Sequence, residues 1–286
     1  MEQKPLVSVI IPCYNLAPYL PEAIESVLAQ TYRPIEVIVV DDGSIDNTSD
    51  VVRRYRDQGV KLICQENKGL AAARNAGLKD ASGKYVALLD ADDAYLPEKI
   101  ERQVEYLESH PDCGVCYCGI YHYWEDRPGE LLLLKYEYYS GENAKKALLK
   151  KNFINPLSVV LRRSAVEPIG FFREDFRRSE DWEYWIRLMF GGVKFDFLNV
   201  PLARYRMRPL SSLSYNSKDE TKRKELQLKI FVDLYERSDV LIRRRYHLYL
   251  IMWYHRLKYM VALSEGIFPV VSHLRTWFQK KRLASA

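Results

Sequence analysis

Glu36-Val37-Ile38-Val39-Val40-Asp41-Asp42-Gly43-Ser44 is a short apolar run that ends abruptly in two carboxylates, a glycine and a serine. A run of this length, rich in β-branched residues and closed by turn formers, reads as a strand buried on both faces. The same grammar recurs on either side of it. Val7-Ser8-Val9-Ile10-Ile11 is closed by Pro12, Val60-Lys61-Leu62-Ile63-Cys64 follows, and Tyr85-Val86-Ala87-Leu88-Leu89 runs into Asp90-Ala91-Asp92-Asp93. Helical spacing fills the gaps. Leu20, Ile24, Val27 and Leu28 share a face with Pro21 in the first turn, Thr48 to Gln58 has helical character, and Leu70 to Ala81 is Ala-rich before Gly83. Buried strands alternating with helices predict an α/β fold with a mostly parallel central sheet flanked by helices.

Past residue 110 the rhythm loosens. Val115 to Tyr123, Pro156 to Leu161 and Lys194 to Val200 read as strands, and Asp181 to Phe190 reads as an aromatic-rich helix. No linker separates these halves, so residues 1–110 and 111–215 are expected to share one domain. Residues 216–286 form a separate basic extension, helical from about Lys218. The net charge of +5 hides that asymmetry. The last stretch carries a large excess of Lys and Arg, and the first 200 residues carry a small excess of acids.

Composition closes several doors. With 48% hydrophobic and 28% charged residues, the 286-residue chain is ordinary globular material. No apolar stretch approaches the ~18–20 residues of a membrane span, and Met1-Glu2-Gln3-Lys4-Pro5 lacks the form of a signal peptide. Five cysteines make a disulfide framework improbable and favour the cytoplasm. Cys113, Cys116 and Cys118 lack a partner pair at zinc spacing and read as buried strand residues. The five histidines show no metal-ligand spacing. There is no Gly-x4-Gly-Lys-[Ser/Thr], no Gly-x-Gly-x-x-Gly after the first strand and no Gly-x-Ser-x-Gly elbow. Phosphate-loop, dinucleotide and serine-hydrolase chemistry therefore lose their main support.

The strand ends carry the positive signal. In an open α/β sheet, ligands bind beyond the carboxyl ends of the strands, where Asp41-Asp42 and Asp90-Ala91-Asp92 both fall. A hard divalent ion takes one or two carboxylates and completes its shell with water and substrate phosphates. An Asp-x-Asp there suits a metal–diphosphate substrate. The plainer reading of any one pair is a turn former or helix cap.

Five segments in order resemble the inverting family-2 glycosyltransferases, with their A-type nucleotide-sugar-binding fold. They are Val7 to Asn15, Val39 to Ser44, Gly69-Leu70-Ala71-Ala72-Ala73-Arg74-Asn75-Ala76-Gly77, Leu89 to Asp93, and Ser179-Glu180-Asp181-Trp182 with Trp185, Arg187 and Leu188. The resemblance covers residue 5 to about 210. It implies that Pro12, Tyr14 and Asn15, with Asp41 or Asp42, cradle the base and ribose of a nucleotide-sugar donor. It also puts Lys68 and Arg74 near the base or diphosphate and Asp90 near the ribose. Asp92 would hold a divalent metal, Mg²⁺ or Mn²⁺, and Asp181 would be the catalytic base with Glu180 and Trp182 on the acceptor side. Asp181 could instead cap its helix, Arg74 could pair with an acidic strand end, and Trp182 and Trp185 could simply pack. One position departs from the family: where many relatives read Tyr-Arg-x-His, this chain has Tyr205-Arg206-Met207-Arg208. Arginine ligates no metal but can bind a diphosphate directly.

The basic extension, with Lys222-Arg223-Lys224, Arg243-Arg244-Arg245 and Lys280-Lys281-Arg282 among aromatics, fits either an anionic membrane surface or a packed helical cap. No nucleic-acid motif accompanies it, so no nucleic-acid partner is expected. The expected protein is a cytoplasmic enzyme, peripheral at the inner face of the plasma membrane. It would move a sugar from a nucleotide-sugar, with UDP as the leading nucleotide, to a glycan or lipid-linked acceptor. Its rivals are a nucleotidyltransferase of related fold and a non-catalytic sugar-nucleotide-binding scaffold.

Overall fold

The computed structural model describes residues 3–133, 139, 141–208 and 229–230. The chain divides into two compact units, Met1–Arg208 and Pro209–Ala286. The helices expected from Lys218 onward, and the basic clusters within them, lie outside the described residues.

The first unit opens with four parallel strands, β1 (Val7–Cys13), β2 (Ile35–Asp41), β3 (Val60–Cys64) and β4 (Tyr85–Leu88). Between them run α1 (Leu20–Leu28), α2 (Thr48–Arg53) and α3 (Leu70–Asp80). Leu20, Ala23, Ile24 and Val27 of α1 are buried at i, i+3, i+4 and i+7, the spacing that turns one helical face to a sheet. On α3 the contact is closer still. A Cβ on Gly77 would stand 2.4 Å from Ile10 Cγ2, so only glycine lets this helix lie against β1.

Next come β5 (Ala94–Tyr95), α4 (Lys99–Ser109), β6 (Cys113–Trp124), β7 (Arg127–Leu133) and α5 (Gly141–Lys150). They are followed by β8 (Val159–Arg162), α6 (Arg163–Val166), α7 (Glu180–Phe190) and β9 (Lys194–Met207). The nine strands among the described residues form one sheet of order β3-β2-β1-β4-β8-β6-β9-β5, with β7 paired to β6. Strand β8 is antiparallel to both neighbours, whereas β6 and β9 run parallel to each other. The sheet is thus mixed, with parallel pairing among β1 to β4 and again between β6 and β9.

Three boundaries differ from the expected ones, each for a backbone reason. β1 continues through Pro12 and Cys13. The Ile10 carbonyl accepts from Leu89 on the β4 side, so the nitrogen of Pro12 faces that same side, where pairing with β4 has already ended. β9 passes Pro201 through an irregularity that jumps the β6 register from Leu198 opposite Cys118 to Pro201 opposite Gly119. The Thr48 to Gln58 helix stops at Arg53, and a 3-10 turn at Arg56–Gln58 ends on Gly59 with φ of +82°.

Cys13, Cys113, Cys116 and Cys118 are free and buried, as expected of strand cysteines, while Cys64 is exposed. Among the described residues, no helix is long and apolar enough to cross a membrane.

Candidate active site

The carboxyl ends of β1, β2 and β4 share one edge. At β2 the two carboxylates are consumed locally. Asp41 accepts from the Ser44 amide at 2.9 Å and the Ser49 hydroxyl at 2.7 Å, closing the turn after the strand. Asp42 accepts from Gln65 Nε2 at 2.7 Å and from the amides of Lys68 and Gly69 at 2.9 and 2.8 Å, at the start of α3. An anion beside those amides complements the helix N-terminus. At β1, Asn15 adopts a positive φ of 53° and knits the two loops together. Its amide donates to Ser44 Oγ at 3.0 Å and its side-chain oxygen accepts from the Ile45 amide at 2.9 Å. A non-glycine residue in this region is a strain that surrounding bonds must hold. Beside Asn15, Tyr14 is 46% exposed at the edge.

At β4 the carboxylates face other segments. Arg74 of α3, 1% exposed, donates through Nη2 to Asp90 at 2.8 Å and through Nη1 to Glu180 at 2.6 Å. Its neighbour Asn75 exchanges bonds of 2.9 Å with the Phe172 backbone and donates to Glu174. Two adjacent residues of α3 thereby fix the segment leading into α7. That segment turns through Ser179, whose φ of 55° is again left-handed, and delivers Asp181 in the first turn of α7. Asp181 is half-buried, accepting from Asn152 Nδ2 and from the Trp182 amide, both at 2.8 Å. Burial first, then the neighbouring Glu180 charge, pushes its carboxyl up to about 7, against the opposing pull of Arg74.

Asp92 sits two residues beyond Asp90 and is paired with Arg208 Nη2 at 2.5 Å. Burial raises its carboxyl above the usual range and Arg208 opposes the rise. Asp93 accepts from the Arg206 amide at 2.8 Å, and its other oxygen is buried without a partner. Burial, with Asp92 and Asp90 close by, holds Asp93 well above the usual range. Arg206 locks this turn, donating to the Asp92 carbonyl at 2.9 Å and to Glu22. Among the described residues no three His, Cys, Asp or Glu side chains form a metal cluster. The donor set fits Mg²⁺ or Mn²⁺ bound with a diphosphate, because such an ion needs as little as one carboxylate, and Asp92 is the carboxylate that would hold it.

With this geometry in place, the comparisons are decisive. Residues 8–170 match the sequence profile described as Glycosyl transferase family 2. The chain belongs to that family. This glycosyltransferase is 33% identical over 227 residues to an Escherichia coli protein, covering 78% of this chain and 86% of the relative. That relative is named UDP-Glc:alpha-D-GlcNAc-diphosphoundecaprenol beta-1,3-glucosyltransferase WfaP. The solved structure of S. aureus TarS 1-349 in complex with UDP-GlcNAc superposes with a TM-score of 0.67 at 22% identity, over 82% of this chain and 67% of that one. Mannosyltransferase PcManGT from Pyrobaculum calidifontis, in complex with GDP-Man and Mn2+, gives 0.62 at 22% identity over 99% and 81%. The fold is the A-type glycosyltransferase fold.

Within the glycosyltransferase the expected residues are placed unequally. Asp41, Asp42, Tyr14 and Asn15 gather at the β1–β2 edge, and exposed Lys68 stands at the start of α3. Asp90, Asp92 and Arg208 gather at the β4–β9 edge, and Asp181 joins them through the Arg74–Glu180 bridge. Four assignments change. Pro12 is buried inside β1 rather than lining a loop. Arg74 is enclosed by Asp90, Glu180 and the Phe172 ring, so in this geometry it offers no face to a diphosphate. Glu180 is spent on Arg74, which removes it from the acceptor side. Trp182 is buried with its indole nitrogen donating to Leu148 at 2.6 Å, because α7 packs against α5, and it is no sugar platform.

Sequence reading missed Asn152, Asn75, Glu22 and Arg206. For Asn152 and Glu22 nothing local in the sequence points to the partner. Asn75 and Arg206 stood inside quoted motifs without a role.

Proposed function

We propose that the protein is an inverting glycosyltransferase that moves a sugar from a nucleoside diphosphate donor, a UDP-sugar first, to a hydroxyl of a glycan or lipid-linked acceptor. It acts in cell-surface polysaccharide assembly at the cytoplasmic face of the membrane, with the basic extension against anionic lipid. The observation that carries this reading is the placement of Asp181: a half-buried carboxylate held by Asn152 and the Trp182 amide and tied through Glu180 and Arg74 to the acidic end of β4. The UDP-sugar and lipid-linked acceptor in the name of WfaP support the substrate classes.

The chemistry follows from the charges. A carboxylate poised near working pH is an efficient general base, so Asp181 takes the acceptor hydroxyl's proton as that oxygen attacks the anomeric carbon. Attack on the face opposite the leaving diphosphate inverts the centre and requires no enzyme nucleophile. The exposed Tyr14 ring and the Asn15 loop orient the nucleoside, and Arg208 offers a guanidinium to the diphosphate. A divalent ion held by Asp92 would supply further positive charge to the departing phosphates. Asp41 and Asp42 hold the loops in place around the nucleoside.

The test is a thermal-shift panel of UDP, GDP, dTDP and CMP, each with Mn²⁺ and with EDTA, on wild type and Asp92→Ala. Ligands that bind the folded state raise the melting temperature by mass action. A UDP-selective, metal-dependent shift that vanishes in Asp92→Ala is expected. If no nucleotide shifts the protein under any condition, the donor reading fails.

A further inference from the structure

Arg206 and Arg208 lie two residues apart at the end of β9, and they are held very differently. Arg206 is fixed by its amide on Asp93, by Nε on the Asp92 carbonyl and by Glu22, and it lies over the rings of Tyr19 and Tyr123 at 5.1 and 4.9 Å. Arg208 rests on one carboxylate, Asp92, and on Tyr19, whose ring is 5.0 Å away and whose hydroxyl it also meets. Its Nε is buried without a partner. It is a guanidinium with unspent donors, seated on the carboxylate best placed to take a metal.

Neither member of this pair can leave alone at low cost. The side chains are 13% and 16% exposed, and removing one partner of a largely buried ion pair leaves the other charge uncompensated. A diphosphate alone would draw Arg208 off and leave bare Asp92 facing Asp90 and two phosphates. A divalent ion alone would displace Arg208 and leave two cations side by side. When both arrive together, each charge exchanges one opposite partner for another. Arg208 passes from carboxylate to phosphate, where its planar fork fits the oxygens, and Asp92 passes from guanidinium to metal.

We infer that Arg208 makes Asp92 a metal ligand only when a nucleoside diphosphate is present, so that metal and donor bind as a mutually dependent pair. This rests on the donor-site reading above and deepens it. Arg208 adds this coupling to the direct metal–phosphate contact, and it must appear from either side: diphosphate tightens metal and metal tightens diphosphate by the same factor.

Mn²⁺ alone and UDP serve as probes, with free Mn²⁺ measured by electron paramagnetic resonance and UDP by calorimetry. In the wild type, saturating UDP should tighten Mn²⁺ at least tenfold. Arg208→Ala should bind Mn²⁺ without UDP about tenfold more tightly than wild type, and its UDP-linked gain should fall several-fold below the wild type's, to what direct metal–phosphate contact supplies. Arg208→Lys, which keeps a cation without the fork, should fall between the two and guards against a folding defect in the alanine variant. Asp92→Asn should lose Mn²⁺ binding in both backgrounds. The proposal is overturned if Arg208→Ala binds Mn²⁺ alone no more tightly than wild type, or if UDP-linked gains are equal in the two. Failure of the donor reading looks different: UDP then binds no variant, while the Mn²⁺-only comparison still reports whether Arg208 guards Asp92.

Discussion

Two carboxylate clusters sit at the same edge of the same sheet, written almost alike in the sequence, and they do opposite things. Asp41 and Asp42 after β2 are turned inward, and their carboxylates accept from Ser44, Ser49, Gln65, Lys68 and Gly69. Asp90, Asp92 and Asp93 after β4 are answered by α3 and by the end of β9. The first cluster is satisfied by backbone amides and cannot be given up without opening a loop. In the second, Asp92 is answered by the Arg208 guanidinium, whose place a metal ion could take while a phosphate takes the guanidinium. A run of acids at a strand end is therefore not yet a site. What matters is whether its partners are exchangeable.

The largest test of that contrast lies at the residue reached through the second cluster. Asp181→Asn should lower turnover about 10³-fold, the scale of a general base, while donor binding, read by thermal shift with UDP and Mn²⁺, is retained. Loss of UDP binding together with turnover would mean that Asp181 holds the site together rather than serving as its base.

Next in size is Asp42→Ala. It leaves two backbone amides and Gln65 without their acceptor and should destabilise the fold by about 3 kcal/mol in urea denaturation. Asp92→Ala also strands Arg208, but it relieves the repulsion that Asp90 places on Asp92, so its net cost should be the smaller of the two. Equal losses would erase the distinction between the clusters.

The pH dependence is a finer probe. A general base works ionised, and burial pushes the Asp181 carboxyl up to about 7, above the ordinary carboxylate value. Turnover should therefore rise through about pH 7 to a plateau. Asn152 stabilises the ionised form, so Asn152→Ala should move that limb to higher pH by up to about one unit. A limb that stays in place would remove Asn152 from the mechanism. The smallest effect belongs to exposed Lys68. Lys68→Ala should leave stability within about 0.5 kcal/mol and weaken UDP a few-fold by calorimetry.

The strand and helix order of residues 7–89 was legible because each signal is local. β-branched runs, i, i+3, i+4 faces and turn residues act within a few positions of themselves. Pro12 and Pro201 misled at strand ends, because whether a missing amide matters depends on which neighbour still pairs there. The direction of β8 was hidden for the same reason, since orientation belongs to its partners β4 and β6.

At the site the same division holds. Sequence alone located the acidic edge, the Glu180-Asp181 pair and the arginine at 208, because these are matters of residue type and order. It could not say that Arg74 would spend its charge on Glu180, 106 residues away, or that Asn152 would bond to Asp181. Nor could it say that Arg208 would close on Asp92 rather than stand free. Those outcomes depend on which charges are brought within hydrogen-bond reach as water is excluded, and only the packed chain sets those distances. In a poorly solvated pocket each charge must take whichever counter-charge the fold supplies.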